Sequence, residues 1–194
     1  MINNQIKQIQ SLKKTKFRKL YGQFFIEGVR LVKAAIDWSS SVKEIYCTKQ
    51  FYHLKNNQSL FSDIDKNQII LLSEVQFKKI CSTKSPSGIA AVCMIPKQNG
   101  VNLKEDKWLY LDRISDPGNL GTILRSSSWF GLKNIALSSN SVDPYNSKTV
   151  RAGMGAHFGI NLYRDIDLNQ FPTTHNIIAA DTEGLDVDEY NFPK

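Results

Sequence analysis

Three cysteines, three histidines and no long apolar run set the first limits on this 194-residue chain. Cys47, Cys81 and Cys93 show no CxxC spacing, so neither a structural zinc site nor a disulfide framework is expected. Buried thiols in a reducing cytoplasm fit the pattern. His53, His157 and His175 are too scattered for a metal cluster, and His157 reads as structural. No stretch approaches the roughly 18 apolar residues of a membrane span. Residues Met1 to Lys7 lack the basic-then-apolar layout of a signal peptide. Paired catalytic carboxylates, a nucleophile elbow and a Walker loop are all missing. Gly153-Met-Gly155 does not directly follow a strand and has no third glycine, which argues against a dinucleotide fingerprint.

Acidic residues are scarce in one half only. Residues 1–100 carry 16 Lys/Arg against 6 Asp/Glu, whereas residues 101–194 carry 9 against 12. No acid precedes Glu27, while Lys7, Lys13, Lys14, Lys16, Arg18 and Lys19 do. A field of that sign attracts a polyanion. The same run is also compatible with a solvated helix face.

The chain is otherwise built to fold, with 41% hydrophobic residues and ten Phe, seven Tyr and three Trp. Ile6, Ile9, Leu12 and Leu20 fall on one side of a helix over 3–20. A strand at Phe24–Glu27 follows, then a helix from Val29 to Trp38 with Val29, Val32, Ala35 and Ile36 inward. Further strands are predicted at 42–47, 69–72 and 89–95, with a short helix at 51–56 and Ser73 capping another. This describes a small α/β domain over 1–98. Residues 96–106 are polar, contain Pro and Gly, and read as a linker. Beyond them the runs 107–112, 134–138 and 176–180 suit strands of a parallel sheet covered on both faces, with helices at 120–130 and about 147–155. The second domain is expected over 106–194.

Asp116-Pro-Gly-Asn119 is a turn leading into a helix, with Asn119 as the expected N-cap. Leu120, Ile123, Leu124 and Ser127 form its packed side, and Gly121 permits close backbone approach. Arg125 falls near the opposite side and can face the loops where open α/β sheets bind ligands. A permanent cation there suits a phosphate or a developing ribose alkoxide, though a plain surface arginine has the same spacing. Lys148 and Arg151 share a helix face and fit either a phosphate or solvent. Asp181-Thr-Glu-Gly184 follows an expected strand end and can bond a ligand's polar groups.

Asp116-Pro-Gly-Asn-Leu-Gly-Thr-Ile-Leu-Arg125 closely resembles the first signature of the SpoU/TrmH family of RNA ribose 2′-O-methyltransferases. Ser141-Val-Asp-Pro-Tyr-Asn-Ser-Lys-Thr-Val-Arg-Ala-Gly-Met-Gly155 is similar to the middle segment of that family. Phe25-Ile-Glu-Gly-Val-Arg30 and Ser85-Pro-Ser-Gly-Ile-Ala-Ala-Val92 look like its L30e-like RNA-binding domain. The resemblance implies an α/β fold, a small L30e-like domain followed by a parallel-sheet SPOUT-type (trefoil-knot) domain. It implies methyl transfer from S-adenosylmethionine to a ribose 2′-hydroxyl of structured RNA, with 23S rRNA preferred and tRNA or non-catalytic RNA binding as alternatives. Asn119 and Arg125 would form the active-site pair, and Thr182 and Gly184 would face the cofactor. Lys13, Lys14, Lys16, Arg18, Glu27, Arg30, Lys148 and Arg151 would serve RNA binding. A cytoplasmic homodimer without metal or membrane is expected. Because the family continues beyond the segments present here, the resemblance also implies that the knot is incomplete in this chain, with cofactor binding and dimerisation weakened.

Overall fold

The computed structural model describes residues 2–38, 42–98 and 100–189. The expected helix over 3–20 is two helices, α1 (Ile2–Ser11) and α2 (Thr15–Tyr21), because Lys14 adopts an extended backbone between them. After that break the phase is reset. Ile6, Ile9 and Leu12 are buried, but Leu20 is 65% exposed and α2 turns Arg18 inward instead. Gly22, at φ 60°, closes α2 in the left-handed region that favours glycine.

Strand β1 (Gln23–Glu27) leads through Gly28 into α3 (Val29–Asp37). Its buried stripe is Leu31, Val32 and Ala35, and the expected Val29 stands exposed in the first turn. Then come β2 (Val42–Thr48), α4 (Lys49–His53), β3 (Ile69–Leu72), α5 (Glu74–Ile80) and β4 (Ile89–Met94). Thr48 caps α4 through the Phe51 amide, and Ser73 with Gln76 forms a full capping box on α5. The sheet order is β1-β4-β2-β3, with β4 antiparallel to both neighbours and β2 parallel to β3. Strand alternation divides the core between the two faces. Phe24, Ile26, Ile45, Ile89 and Ala91 meet α3, while Phe25, Tyr46, Leu72, Ala90 and Val92 meet α1 and α5.

The second sheet contains β5 (Trp108–Leu111), β6 (Asn134–Leu137) and β7 (Asn161–Tyr163) in the order β5-β6-β7, all parallel. Crossovers are made by α6 (Pro117–Trp129) and α7 (Ser147–Gly153). Leu120 and Leu124 of α6 pack on Leu111, Ile135 and Leu137, while Ala136 faces Ile166 and Phe171 on the other side. The strand expected over 176–180 is not formed. Its backbone joins no ladder, and Ile177 and Ile178 are each 48% exposed. An apolar run becomes a strand only where another edge accepts its amides. This one borders Trp108 and Tyr110 of β5 without pairing to them. The third strand is instead the short β7, which has no apolar run to announce it.

Residues 96–106 connect the sheets, yet packing continues across them. Tyr145 and Val150 belong to the same buried cluster as Phe24, Val32 and Ile45, and the rings of Phe24 and Tyr145 lie 4.9 Å apart.

Candidate active site and RNA-facing surface

The start of α6 differs from expectation by three residues. Asp116 is the N-cap, its Oδ1 accepting the Asn119 amide at 2.7 Å, and Pro117 follows at the first helical position. Asn119 is therefore not the cap. Its exposed side chain, in the first turn beyond β5, makes no hydrogen bond among the described residues. Gly121 explains why α6 can lie so close to α7. A Cβ there would stand 2.4 Å from the Ala152 Cβ and 2.6 Å from the Thr149 carbonyl oxygen.

Arg125 is exposed and forms no ion pair among the described residues. Six residues separate it from Asn119, which on an α-helix means about 9 Å of rise and about 120° of rotation. The two side chains do not converge on one point within a single chain. Both project outward, away from the buried Leu120 and Leu124.

Asn146 caps α7 by accepting the Lys148 amide at 2.8 Å. Lys148 is exposed, but Arg151 is tied across the seam to Glu27, Nη1 to Oε1 at 3.0 Å. Glu27, with an 8% exposed side chain, also accepts the Ser82 amide at 2.8 Å. The expectation that Glu27 contacts RNA is thus corrected, since its carboxylate is consumed inside the protein. Arg151 is only partly available for the same reason.

Arg18 is the second correction. It is 3% exposed, and its guanidinium donates to Asp143 Oδ2, the Leu12 carbonyl and Thr15 Oγ1 at 2.7 to 2.8 Å. A side chain so buried, with four of its five N–H donors already committed, is not available to a phosphate. Lys13, Lys14, Lys16 and Arg30 remain exposed, with Lys13 Nζ reaching the Cys81 carbonyl at 3.3 Å. All three cysteines are buried and free, and burial pushes their thiols up to about 12. They take no part in nucleophilic chemistry.

His157 is buried, and its Nε2 donates to the Pro144 carbonyl at 2.7 Å. Its Nδ1 has no partner, and burial depresses its pKa to about 4. The neutral ring thus supports the loop that holds Asp143 and Tyr145. Sequence reasoning did not single out Asp116 or Asp143. Pro117 was the available signal for the first, and the second had none because its partner is remote.

Thr182 and Gly184 occupy an exposed turn held by Asp181, whose Oδ1 accepts the Glu183 amide at 3.1 Å. The nearest atom to a Cβ on Gly184 is the Asp181 carbonyl oxygen at 3.6 Å. This open turn does not enclose a molecule the size of S-adenosylmethionine. Among the described residues no group of three or more His, Cys, Asp or Glu is placed to hold a metal ion.

Together, a mixed sheet with exposed lysines on its outer helices and a docked parallel sheet with a glycine-packed helix pair define a two-part α/β protein. Residues 3–91 match the MRM3-like substrate binding domain, and residues 106–194 match the SpoU rRNA Methylase family. The chain belongs to the SpoU/TrmH family, carrying its RNA methyltransferase fold behind an N-terminal substrate-binding domain. It is 34% identical over 163 residues to the 23S rRNA (guanosine(2553)-2'-O)-methyltransferase RlmP of Bacillus subtilis, covering 84% of this chain and 62% of that protein. It is 29% identical over 188 residues to the mitochondrial rRNA methyltransferase 3 of Homo sapiens, covering 90% of this chain and 43% of the relative. The crystal structure of an AdoMet-bound rRNA methyltransferase from Sinorhizobium meliloti superposes with a TM-score of 0.68 at 26% identity, covering 82% of this chain and 60% of that one. The chain thus spans less than two thirds of the relatives it matches.

Proposed function

We propose that this chain acts in S-adenosylmethionine-dependent methylation of a ribose 2′-hydroxyl in structured RNA, with 23S rRNA as the preferred substrate and tRNA as the alternative. The observation that carries the reading is the outer face of α6. Among the described residues Asn119 stands there exposed without a side-chain hydrogen bond and Arg125 exposed without an ion pair, whereas Arg18 and Arg151 are committed to carboxylates inside the protein. The similarity to the Bacillus subtilis enzyme, named for a 2'-O position of 23S rRNA, supports the substrate class. The cofactor assignment leans on the AdoMet-bound relative, because the turn at Thr182 and Gly184 supplies only an open loop.

A ribose hydroxyl is a weak nucleophile at neutral pH, so the protein's task is to align it and stabilise its oxygen as charge develops. Arg125 suits both tasks, gripping an RNA phosphate and offsetting the negative oxygen without losing its own proton. The Asn119 amide orients the ribose through a donor and an acceptor. Since the two diverge by about 120° on one helix, a homodimer that sets Arg125 of one protomer beside Asn119 of its partner completes the pair. Lys13, Lys14, Lys16, Arg30 and Lys148 provide the phosphate-binding surface in this reading, and a cytoplasmic location suits both the thiols and the substrate.

The test is transfer of tritiated methyl from S-adenosylmethionine to total rRNA and tRNA by the protein at its natural length. Arg125→Ala is expected to abolish transfer while leaving RNA binding nearly intact. Absence of transfer by the unaltered protein, with RNA binding retained, would favour a non-catalytic RNA-binding role. The exposed turn at Thr182 and Gly184 is the observation that keeps this second reading open.

A further inference from the structure

At the seam, the loops beyond β6 and β7 and one side of α2 border a cavity of about 210 Å³. Thr15 and Lys19 form one wall, Ser138 and Ser141 a second, and Arg164 and Asp165 a third. Open parallel sheets bind their ligands beyond the carboxyl ends of the strands, which is where this space lies. Asp143 also lines it, but that carboxylate is already neutralised by Arg18. Lys19 and Arg164 form no ion pair among the described residues, so two free cations face the single carboxylate of Asp165.

Arg164 is also pre-positioned. Its guanidinium carbon sits 5.6 Å from the centroid of the Tyr145 ring. Tyr145 is 4% exposed and is itself packed against Phe24 and His157, so the platform beneath the guanidinium is fixed. A planar cation backed by an aromatic ring on one side can stack a flat π system on the other, a mode that proteins use for unpaired RNA bases. A space of about 210 Å³ suits one flat base and is far too small for a duplex.

We propose that this seam cavity receives one unstacked nucleotide of RNA. Its base lies over Arg164, its phosphate meets Lys19, and its sugar or base donors reach Asp165 and the serine hydroxyls. Neither Asn119 nor Arg125 lines this cavity, and the proposal rests on the RNA-binding reading above. Because Thr15 and Lys19 come from one domain and the remaining walls from the other, a nucleotide seated here engages both at once.

The test is fluorescence anisotropy of this chain with two labelled RNAs of equal phosphate number, a hairpin with an unpaired loop and a blunt duplex. Arg164→Ala is expected to weaken the hairpin complex about tenfold, the loss of one stacked base, and the duplex complex by about twofold or less. Arg164→Lys keeps the charge without the plane and is expected to match Arg164→Ala on the hairpin. Lys19→Gln alters an exposed side chain, so the fold is retained. It is expected to weaken hairpin binding and lower the salt slope by about one ion. Equal losses on both RNAs, full hairpin affinity in Arg164→Lys, or no effect of Lys19→Gln would overturn the nucleotide pocket while leaving general RNA binding in place. Failure of the unaltered chain to bind either RNA would overturn the RNA reading itself and the pocket with it.

Discussion

Arg18 of α2 and Asp143 of the loop after β6, 125 residues apart in the chain, form a two-pronged ion pair, with Nη2 at 2.7 Å and Nε at 2.8 Å from one carboxylate oxygen. The other oxygen, Oδ1, accepts the Tyr145 amide at 3.0 Å. One buried pair therefore holds the basic domain to the loop that introduces α7. Removing either partner leaves an uncompensated charge in the seam. Arg18→Ala is expected to lower unfolding stability by about 3–5 kcal/mol. Replacing both residues together with apolar side chains of similar volume should recover most of the loss. Urea unfolding checks both outcomes. The exposed Lys16 offers a contrast, since Lys16→Ala should change stability by about 0.5 kcal/mol or less.

Gly121 predicts a steric failure. Gly121→Ala puts a methyl group where backbone and side-chain atoms of α7 already stand, so the two helices must separate. The expected cost is about 1–3 kcal/mol, at the upper end because backbone as well as side-chain atoms are in the way. Thr122→Ala, one residue away on the exposed face, should be near neutral. Thermal unfolding of the two variants side by side separates packing from helix propensity, which alone would favour alanine.

Arg125 predicts the reverse separation of stability from function. Exposed and without an ion pair among the described residues, it contributes little to the folded state, and Arg125→Ala should shift stability by about 0.5 kcal/mol or less. Any loss of methyl transfer in that variant is then chemical rather than structural. Circular dichroism melts run alongside the transfer assay are the check.

His157 predicts a pH window. Its folded pKa, about 4, lies below the ordinary 6.5 because burial disfavours the charged ring. Below 6.5 the unfolded chain takes up the proton and the folded protein resists it. The stability contributed by the neutral ring is therefore complete above pH 6.5, declines as pH falls, and is lost by about pH 4. The full change is on the order of 3 kcal/mol. A His157→Gln variant should show a shallower fall in melting temperature between pH 6.5 and 4 than the unaltered chain. Parallel slopes for the two proteins would sink the idea.

Local rules carried much of the sequence reading. The six strands from β1 to β6 form where strands were expected, and the Ser73 cap formed as its residue type demands. Failures came where a distant partner decided the outcome. Arg18 looks like any cation in a basic run until Asp143 arrives from the other domain. Glu27 and Arg151 are likewise readable as ligands for RNA only while their mutual contact is unknown. The segment 176–180 has strand composition, but composition does not supply an edge to pair with, and the three-residue β7 took the third place without an apolar signal. At the candidate site, Asn119 and Arg125 were legible as residues. Their divergence around α6 was already implied by their spacing and mattered only once both side chains proved to be exposed.

The cluster shared by Phe24, Tyr145 and Val150 alters the meaning of the polar stretch between the sheets. Residues 96–106 act as a tether rather than a border. A protease cut after the exposed Lys97 would sever the chain without separating its halves, because the interface holding them is made of buried aromatic surface and ion pairs rather than covalent continuity. The two fragments should travel together on a sizing column, and each alone would expose a face that water does not tolerate.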